Sequence, residues 1–437
     1  MPALPQYLTV QTKGIYHGLP VFPQSLKGLS AIVTGANGIS GDHMMRVLAE
    51  SPERWTNIYA MSRRPPAAQR KWVANFKHLP LDFLNSSPEE LAKSMKDNGV
   101  KADYVFFFSY VQAEPKEGQG LWSDAEEMTR VNVSLLRNFL DALKLSGIIP
   151  KRVMLQTGAK NYGVHLGPTI NPQHESDPRV TLESNFYYPQ EDMLFEYCRQ
   201  TGAGWNVVRP SSILGAVKDA AMNLVYPLGV FGAVQSYLGK PMVYPGDLNS
   251  FQAVQDMSTA MMNGYLEEWA VLTPAAANEA FNACDNSQFT FGKFWLRLAK
   301  WYGVGYELPD ENAEYQAVQT PYEPPPRGFG PRATHRFRYT FSEWASKPEV
   351  QAAWKDLMKK HNLESNPFSN EKNRERIFGF ADGMMLGVTA LQFNMDKAHK
   401  LGFFGTVDTV ESMRKVLEEF AELKMLPPLR ESTGPSL

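Results

Sequence analysis

The sequence predicts an α/β protein, a doubly wound parallel sheet with a mostly helical C-terminal cap. Short apolar runs alternate with amphipathic stretches through the first 285 residues, the pattern of strands buried on both faces between helices. A glycine-rich turn joins the first of these runs to a helical stretch. After about residue 285 the runs give way to helical periodicity. The expected division is therefore 1–285 for the nucleotide-binding sheet domain and 286–437 for a helical region that closes over it.

Taken in order, residues 1–28 read as an irregular lead-in. Ser30–Thr34 is the first strand and His43–Glu50 the first helix, followed by a strand at Asn57–Met61 that closes on Ser62-Arg63-Arg64-Pro65-Pro66. Asp103–Phe108, Arg152–Gln156 and Trp205–Pro210 are further strands, with amphipathic helices at Ala125–Leu143 and Glu191–Thr201 between them. The phenylalanines 106–108 are most simply a buried strand. Beyond 285, Phe294–Tyr302, Ser342–Lys360 and Arg374–Lys400 read as helices, and the proline-rich Pro321–Pro326 as a stiff spacer or surface loop. No internal repeat is present.

Composition narrows the function. The 437 residues are 43% hydrophobic and 21% charged, enough for a substantial core. Forty-four basic residues against 46 acidic ones leave a net charge of −2, so no field favours nucleic acid or an anionic membrane. A small-molecule partner is expected, with a homodimer as an admissible assembly. Cys198 and Cys284 lack metal-ligand spacing, which argues against a zinc site or a disulfide framework. Met1–Thr12 has neither a basic start nor a long apolar run, and Ala221–Leu238 is broken by Asn223, Pro227 and glycines. No signal peptide or membrane span is expected, and the cytoplasm is the expected compartment.

The glycine turn, Thr34-Gly35-Ala36-Asn37-Gly38-Ile39-Ser40-Gly41, has the spacing G-x-x-G-x-x-G. Between a strand and a helix, such glycines let the backbone approach a pyrophosphate and aim the helix N-terminus at it. A plain tight turn uses the same residues; the strand before and the helix after favour a Rossmann dinucleotide site. At the end of the next strand an NAD site usually places an acid for the ribose hydroxyls. Here stand Ser62, Arg63 and Arg64, and a guanidinium fork suits a 2′-phosphate, so NADPH is the expected cofactor. The alternative for the same residues is a solvated basic turn. Asp82 either accepts a hydrogen bond from adenine or caps a turn.

Short-chain reductases carry Tyr-x-x-x-Lys on one helix, where the lysine lowers the tyrosine pKa. In Asn185-Phe186-Tyr187-Tyr188-Pro189-Gln190-Glu191-Asp192, the residue four beyond Tyr188 is Asp192. A lysine is available instead in Thr157-Gly158-Ala159-Lys160-Asn161-Tyr162, just past a strand end. Either tyrosine is open to a core-packing role, and Lys160 to that of a surface lysine.

Those two segments, with Ser62-Arg63-Arg64-Pro65, Arg209-Pro210, Met222-Asn223-Leu224, Asn278–Asn282 and Met395–Ala398, resemble the progesterone 5β-reductase/iridoid synthase-like (PRISE) family of atypical short-chain dehydrogenases/reductases. The resemblance runs from about residue 29 to 427. It implies an NADPH-dependent enone or enal reductase, with a setting in secondary metabolism, acting on a small apolar carbonyl compound. Lys160 and Tyr188 would be catalytic: hydride reaches the β-carbon while Tyr188, supported by Lys160, stabilises the enolate oxygen. Cofactor contacts are implied from Gly35, Asn37, Gly38, Ile39, Gly41, Ser62, Arg63, Arg64, Asp82, Phe83, Ser109, Gln156, Tyr188, Ile213 and Met222, and substrate contacts from Tyr162 and Phe380.

The chain departs from the family pattern in three places. Asn161 follows Lys160 where histidine is usual, Gly163–Thr169 is longer than Tyr-x-Gly-Pro-Phe, and Pro321–Arg336 is an unusual insertion. The last two are expected to reshape the substrate pocket, so substrate specificity does not carry over. His165 is assigned no role. Two other functions fit the same fold: reduction of a carbonyl carbon to an alcohol, and a non-redox NADP-binding regulator or cyclase, the latter suggested by the missing lysine at 192.

Overall fold

The computed structural model describes residues 9–66, 76–116, 122–219 and 222–430. Its centre is a seven-stranded parallel sheet formed by β1 (Leu29–Thr34), β2 (Trp55–Met61), β3 (Phe76–Leu79), β4 (Tyr104–Phe107), β5 (Arg152–Gln156), β6 (Gly204–Pro210) and β7 (Glu279–Ala283). The spatial order is β3-β2-β1-β4-β5-β6-β7, every neighbouring pair parallel. The chain therefore walks outward from β1 to β3 and restarts on the other side of β1. Sheets of this kind take ligands in a crevice beyond the carboxyl ends of the strands at such a reversal, here those of β1 and β4. Of the expected strands all five form; β3 and β7, at the sheet's edges, carry shorter and more polar runs.

Helices α1 (Ile39–Ala49), α2 (Pro88–Asp97), α3 (Ala125–Ser146), α4 (Tyr187–Thr201), α5 (Val225–Leu238) and α6 (Ala260–Leu272) follow the strands. Alternation along β1 sorts them into layers. Ala31 and Val33 pack with Met44 and Leu48 of α1 and with Tyr265 and Trp269 of α6. Ile32 faces the other way, with Val105, Phe107, Leu91 of α2, Phe139 of α3 and Leu194 of α4. Every residue of α6 is buried, Asn263, Glu267 and Glu268 included, with Glu268 accepting from Arg54 and from the Trp55 indole N–H. The lead-in is more ordered than expected: Val10–Lys13 pairs antiparallel with Tyr16–Pro20, and Tyr16 and Leu19 join the α6 core.

The C-terminal part contributes α7 (Phe291–Tyr302), α8 (Phe341–Ser346), α9 (Pro348–His361), α10 (Glu371–Met385) and α11 (Thr409–Glu422). The helix expected over Ser342–Lys360 divides in two because Pro348 cannot continue one. That expected to run to Lys400 stops at Met385 and resumes as a short turn at Asp396–Lys400. Pro321–Pro326 lies in the loop of a hairpin, Gln316–Gln319 against Thr334–Phe337. The two cores do not divide at residue 285. Helix α5 packs into the helical cluster with α7 to α11, while Phe393, Met395, Phe403 and Val407 return to the sheet. Among the described residues no helix is long and apolar enough to cross a membrane, and no cluster of side chains has the makings of a metal site.

Candidate active site

The turn after β1 forms the floor of the crevice. Gly35 has φ of +61°, and a Cβ there would stand 2.9 Å from the Phe108 carbonyl oxygen. Gly38 N–H donates to the Gly35 carbonyl at 2.8 Å, and Gly41 is pressed so closely over the turn that a Cβ would meet that same oxygen at 2.3 Å. Gly38 is the N-cap of α1 and no side chain caps the helix, which leaves the first-turn N–H groups around Ile39 to an anion. Thr34 Oγ1 accepts from the amides of Phe108 and Ser109 at 3.0 and 3.2 Å, locking the ends of β1 and β4 together.

At the end of β5, Gln156 Nε2 donates to Ser40 Oγ at 2.8 Å, while Gln156 Oε1 and Thr157 Oγ1 are buried without a hydrogen-bond partner among the described residues. Orphaned polar atoms next to an uncapped helix are what a bound dinucleotide would satisfy. The residues present fit such a group.

Ser62 fixes the turn after β2: its hydroxyl donates to the Arg64 carbonyl at 2.7 Å, and His78 Nε2 lies 3.0 Å from its own carbonyl. Arg63 is exposed, and Arg64 reaches Asp219 at 3.1 Å. Asp219 is also paired with Arg376 of α10 at 3.1 Å; burial alone would raise its pKa, but the two guanidiniums hold it below its ordinary value. Asp82 turns out to cap its own turn, accepting from Leu84 N–H at 3.0 Å, Asn85 N–H at 3.2 Å and Asn85 Nδ2 at 2.9 Å. Phe83 is buried edge-on against Phe139, 5.2 Å between ring centres. Asn37 and Ser109 line the turn, half-buried; Ile213 lies in the short strand Ser212–Leu214, and Met222 in the bend before α5.

The two tyrosines at the head of α4 separate. Tyr188, expected as the acid, is 8% exposed and its hydroxyl is fully engaged, accepting from Val180 N–H and donating to the Asn161 carbonyl, both at 2.8 Å. Tyr187 is half-buried against Phe186, 4.6 Å between ring centres, and its hydroxyl has no hydrogen-bond partner among the described residues. A Cβ on Gly158 would lie 3.1 Å from that hydroxyl, which places it at the carboxyl end of β5. Burial raises the Tyr187 pKa well above that of an ordinary phenol, keeping the proton on.

Lys160 stands two residues beyond Gly158, in the 3₁₀ turn Ala159–Tyr162. Its ammonium sits 3.4 Å from the centre of the Trp122 ring. Burial pulls its pKa well below the usual lysine value, and the charge of Glu183 pulls it back up. Trp122 Nε1 donates to Tyr110 Oη at 3.0 Å, and the Trp122 ring meets Phe380 of α10 edge-on at 6.2 Å. Tyr110 in turn lies 5.9 Å from Phe186. Lys160 and Tyr187 are thus linked through one cluster of aromatic rings, Trp122, Tyr110 and Phe186, which Phe380 of α10 joins.

The missing lysine at 192 is explained by its direction. Asp192 is exposed and pairs with Arg179 at 2.7 Å, on the outward side of α4. Four residues beyond Tyr187 stands Glu191, buried and paired with Arg209 at 2.9 Å. Neither position holds a lysine; Lys160 stands instead in the turn that follows β5.

Tyr162 departs from expectation. The turn that sends Lys160 into the cleft sends Tyr162 behind it, where it is wholly buried, donates to Asn282 Oδ1 and packs on Phe393 at 5.6 Å. It has no surface for a substrate. Phe380 does lie at the cleft. Sequence reasoning passed over Tyr110 and Trp122, which belong to an irregular segment without periodicity, and over Glu183.

The fold and this site define an oxidoreductase of the short-chain dehydrogenase/reductase type. Residues 31–321, more than half of the chain, match the PRISE-like Rossmann-fold domain, and the chain belongs to that family. It is 28% identical over 404 residues to the short chain dehydrogenase gsfE of Penicillium aethiopicum, covering 91% of this chain and 99% of that one. Identity is 27% over 413 residues with a 3-oxo-Delta(4,5)-steroid 5-beta-reductase of Arabidopsis thaliana, covering 91% and 93%. With an (S)-8-oxocitronellyl enol synthase of Catharanthus roseus it is 24% over 410 residues, covering 91% and 92%. In fold the chain is similar to a putative epimerase of Burkholderia cenocepacia J2315, with a TM-score of 0.56, 16% identity, and coverage of 91% and 99%.

Proposed function

We propose that this protein uses NADPH to reduce the carbon–carbon double bond of an apolar α,β-unsaturated carbonyl compound. The observation that carries the reading is that the Lys160 ammonium, on the face of Trp122, and the Tyr187 hydroxyl, beside Gly158, both stand just past the carboxyl end of β5 without a hydrogen-bond partner among the described residues. Relatives named as a 5-beta-reductase of 3-oxo-Delta(4,5)-steroids and as an enol synthase support the same chemistry.

The turn Gly35–Gly41 with Gln156 would hold the dinucleotide, and the Arg63–Arg64 pair its 2′-phosphate. Bound NADPH would supply the hydride. The chain's own part is to meet the charge that gathers on the substrate oxygen. A phenol kept protonated by burial and an ammonium behind it are donors fixed in advance, and in a cleft walled by Trp122, Phe186 and Phe380 their attraction for an enolate oxygen is little screened. The role expected of Tyr188 is assigned to Tyr187, because the Tyr188 hydroxyl already gives its one proton to the Asn161 carbonyl while it accepts from Val180 N–H.

The test is NADPH oxidation across a panel of enones and enals, with the products identified. A saturated product with its carbonyl intact is expected; an unsaturated alcohol would move the assignment to carbonyl reduction. Tyr187→Phe and Lys160→Ala are each expected to lower kcat by about 100-fold or more while NADPH affinity persists. Undiminished turnover in both variants overturns the reading.

A further inference from the structure

Asp219 belongs neither to the glycine turn nor to the aromatic cluster, yet two cations distant in sequence meet on its carboxylate. Oδ2 accepts from Arg64 Nη2, in the turn after β2, and Oδ1 from Arg376 Nη1, on α10, both at 3.1 Å. The two grips differ. Arg376 is steadied on its own helix, where Nη2 donates to Asn373 Oδ1 at 3.3 Å, and Asn373 Nδ2 donates in turn to the Asn366 carbonyl at 3.2 Å. Arg64 reaches the carboxylate through one nitrogen, and its side chain is 70% exposed. The neighbouring Lys218 pairs with Glu364 at 3.0 Å.

Two guanidiniums and one carboxylate leave this cluster with a single positive charge. A phosphate monoester is nearly doubly charged at neutral pH. Placed at Arg64, it competes with Asp219 for the same guanidinium and is repelled by the carboxylate beside it. A ribose that carries a plain hydroxyl offers no such anion, so the carboxylate has little effect on it. Asp219 therefore acts on the phosphorylated nucleotide alone. Arg376 acts in the opposite sense, because it shares the negative charge that would otherwise fall wholly on Arg64.

We propose that Asp219 and Arg376 are specificity-determining residues for the cofactor. The carboxylate limits how tightly Arg64 holds a 2′-phosphate, and α10 tunes that limit through Arg376. The proposal rests on the reading of Arg64 as the 2′-phosphate contact. It gives the C-terminal region a part in cofactor choice, on the same helix that sets Phe380 against Trp122. The effect is modest and sensitive to salt, since the side chains concerned are partly in solvent.

The experiment titrates the full chain by calorimetry with adenosine 2′,5′-bisphosphate and with adenosine 5′-monophosphate. Asp219→Asn is expected to tighten the bisphosphate by about threefold to fivefold at low salt, and by much less at high salt. Arg376→Ala is expected to weaken it by a similar factor, and both variants leave the monophosphate unchanged. Most of the gain from Asp219→Asn disappears when it is combined with Arg64→Ala. An unchanged bisphosphate affinity in Asp219→Asn, or an equal change for both nucleotides, overturns the proposal; loss of the bisphosphate preference in Arg64→Ala would still uphold the 2′-phosphate contact. A wild type that binds the two nucleotides equally, or an Arg64→Ala variant that separates them as well as wild type, removes that contact and the proposal with it.

Discussion

At the residue scale, the two neighbouring tyrosines show what a motif can and cannot decide. Successive residues on a helix point about 100° apart, so only one of Tyr187 and Tyr188 can face the cleft. The sequence made the block Asn185–Asp192 conspicuous but had nothing in it to choose between them; the choice was made by Val180 N–H and the Asn161 carbonyl, which take the Tyr188 hydroxyl from loops distant in sequence. The two roles predict opposite outcomes for the same chemical change. Tyr188→Phe strands a buried amide and a buried carbonyl, and is expected to lower stability by about 1–3 kcal/mol in urea unfolding while kcat stays within about twofold. Tyr187→Phe is expected to do the reverse. A collapse of kcat in Tyr188→Phe without loss of stability would return the acid to Tyr188. The place of Lys160 just past a strand end was legible from the apolar run before it; the burial of Tyr162 in the same turn was not, because it is set by Asn282 and Phe393, distant in sequence.

At the element scale, the strand–turn–helix unit β1–α1 was readable in full, since its glycines are required by contacts rather than by habit. A Cβ at Gly41 meets backbone, not a movable side chain, so Gly41→Ala must push α1 off the turn. The expected outcome is loss of NADPH binding by about tenfold or more, measured by fluorescence titration, with the sheet intact by circular dichroism. Arg64→Ala addresses the turn after β2 and is expected to weaken NADPH by about tenfold with little effect on NADH, the mark of a 2′-phosphate contact. Equal weakening of both nucleotides would count against that contact. Asp82 illustrates the limit of reading an element from its sequence: an acid at a strand end suits a ligand or a turn equally, and the amides of Leu84 and Asn85 show it bracing the turn.

At the scale of the whole molecule, the change of pattern near residue 285 does not coincide with a division between the hydrophobic cores. Periodicity reports the local environment of a helix and is silent about which core it joins. Helix α5 lies before the expected boundary yet supplies Leu228, Val230, Phe231 and Val234 to the helical cluster, and Phe393, Met395, Phe403 and Val407 lie far beyond it yet pack beneath the sheet with Trp269 and Phe281. Phe403 packs at a tilt on Trp269, 5.5 Å between ring centres. Each such side chain is worth about 1.5–3 kcal/mol when buried, so the returning segment contributes an amount comparable with the net stability of a typical domain. A chain ending at residue 321, where the match to the family's domain stops, would expose that face of α6 and strip α5 of the cover given by α8 to α11. It is expected to be insoluble or to unfold without a cooperative transition, whereas the full chain should melt in one transition by calorimetry. A truncated protein that melts cooperatively and still binds NADPH would show that the sheet is a self-sufficient domain, and that the helical region is an attachment to the nucleotide site and not part of what holds it in shape.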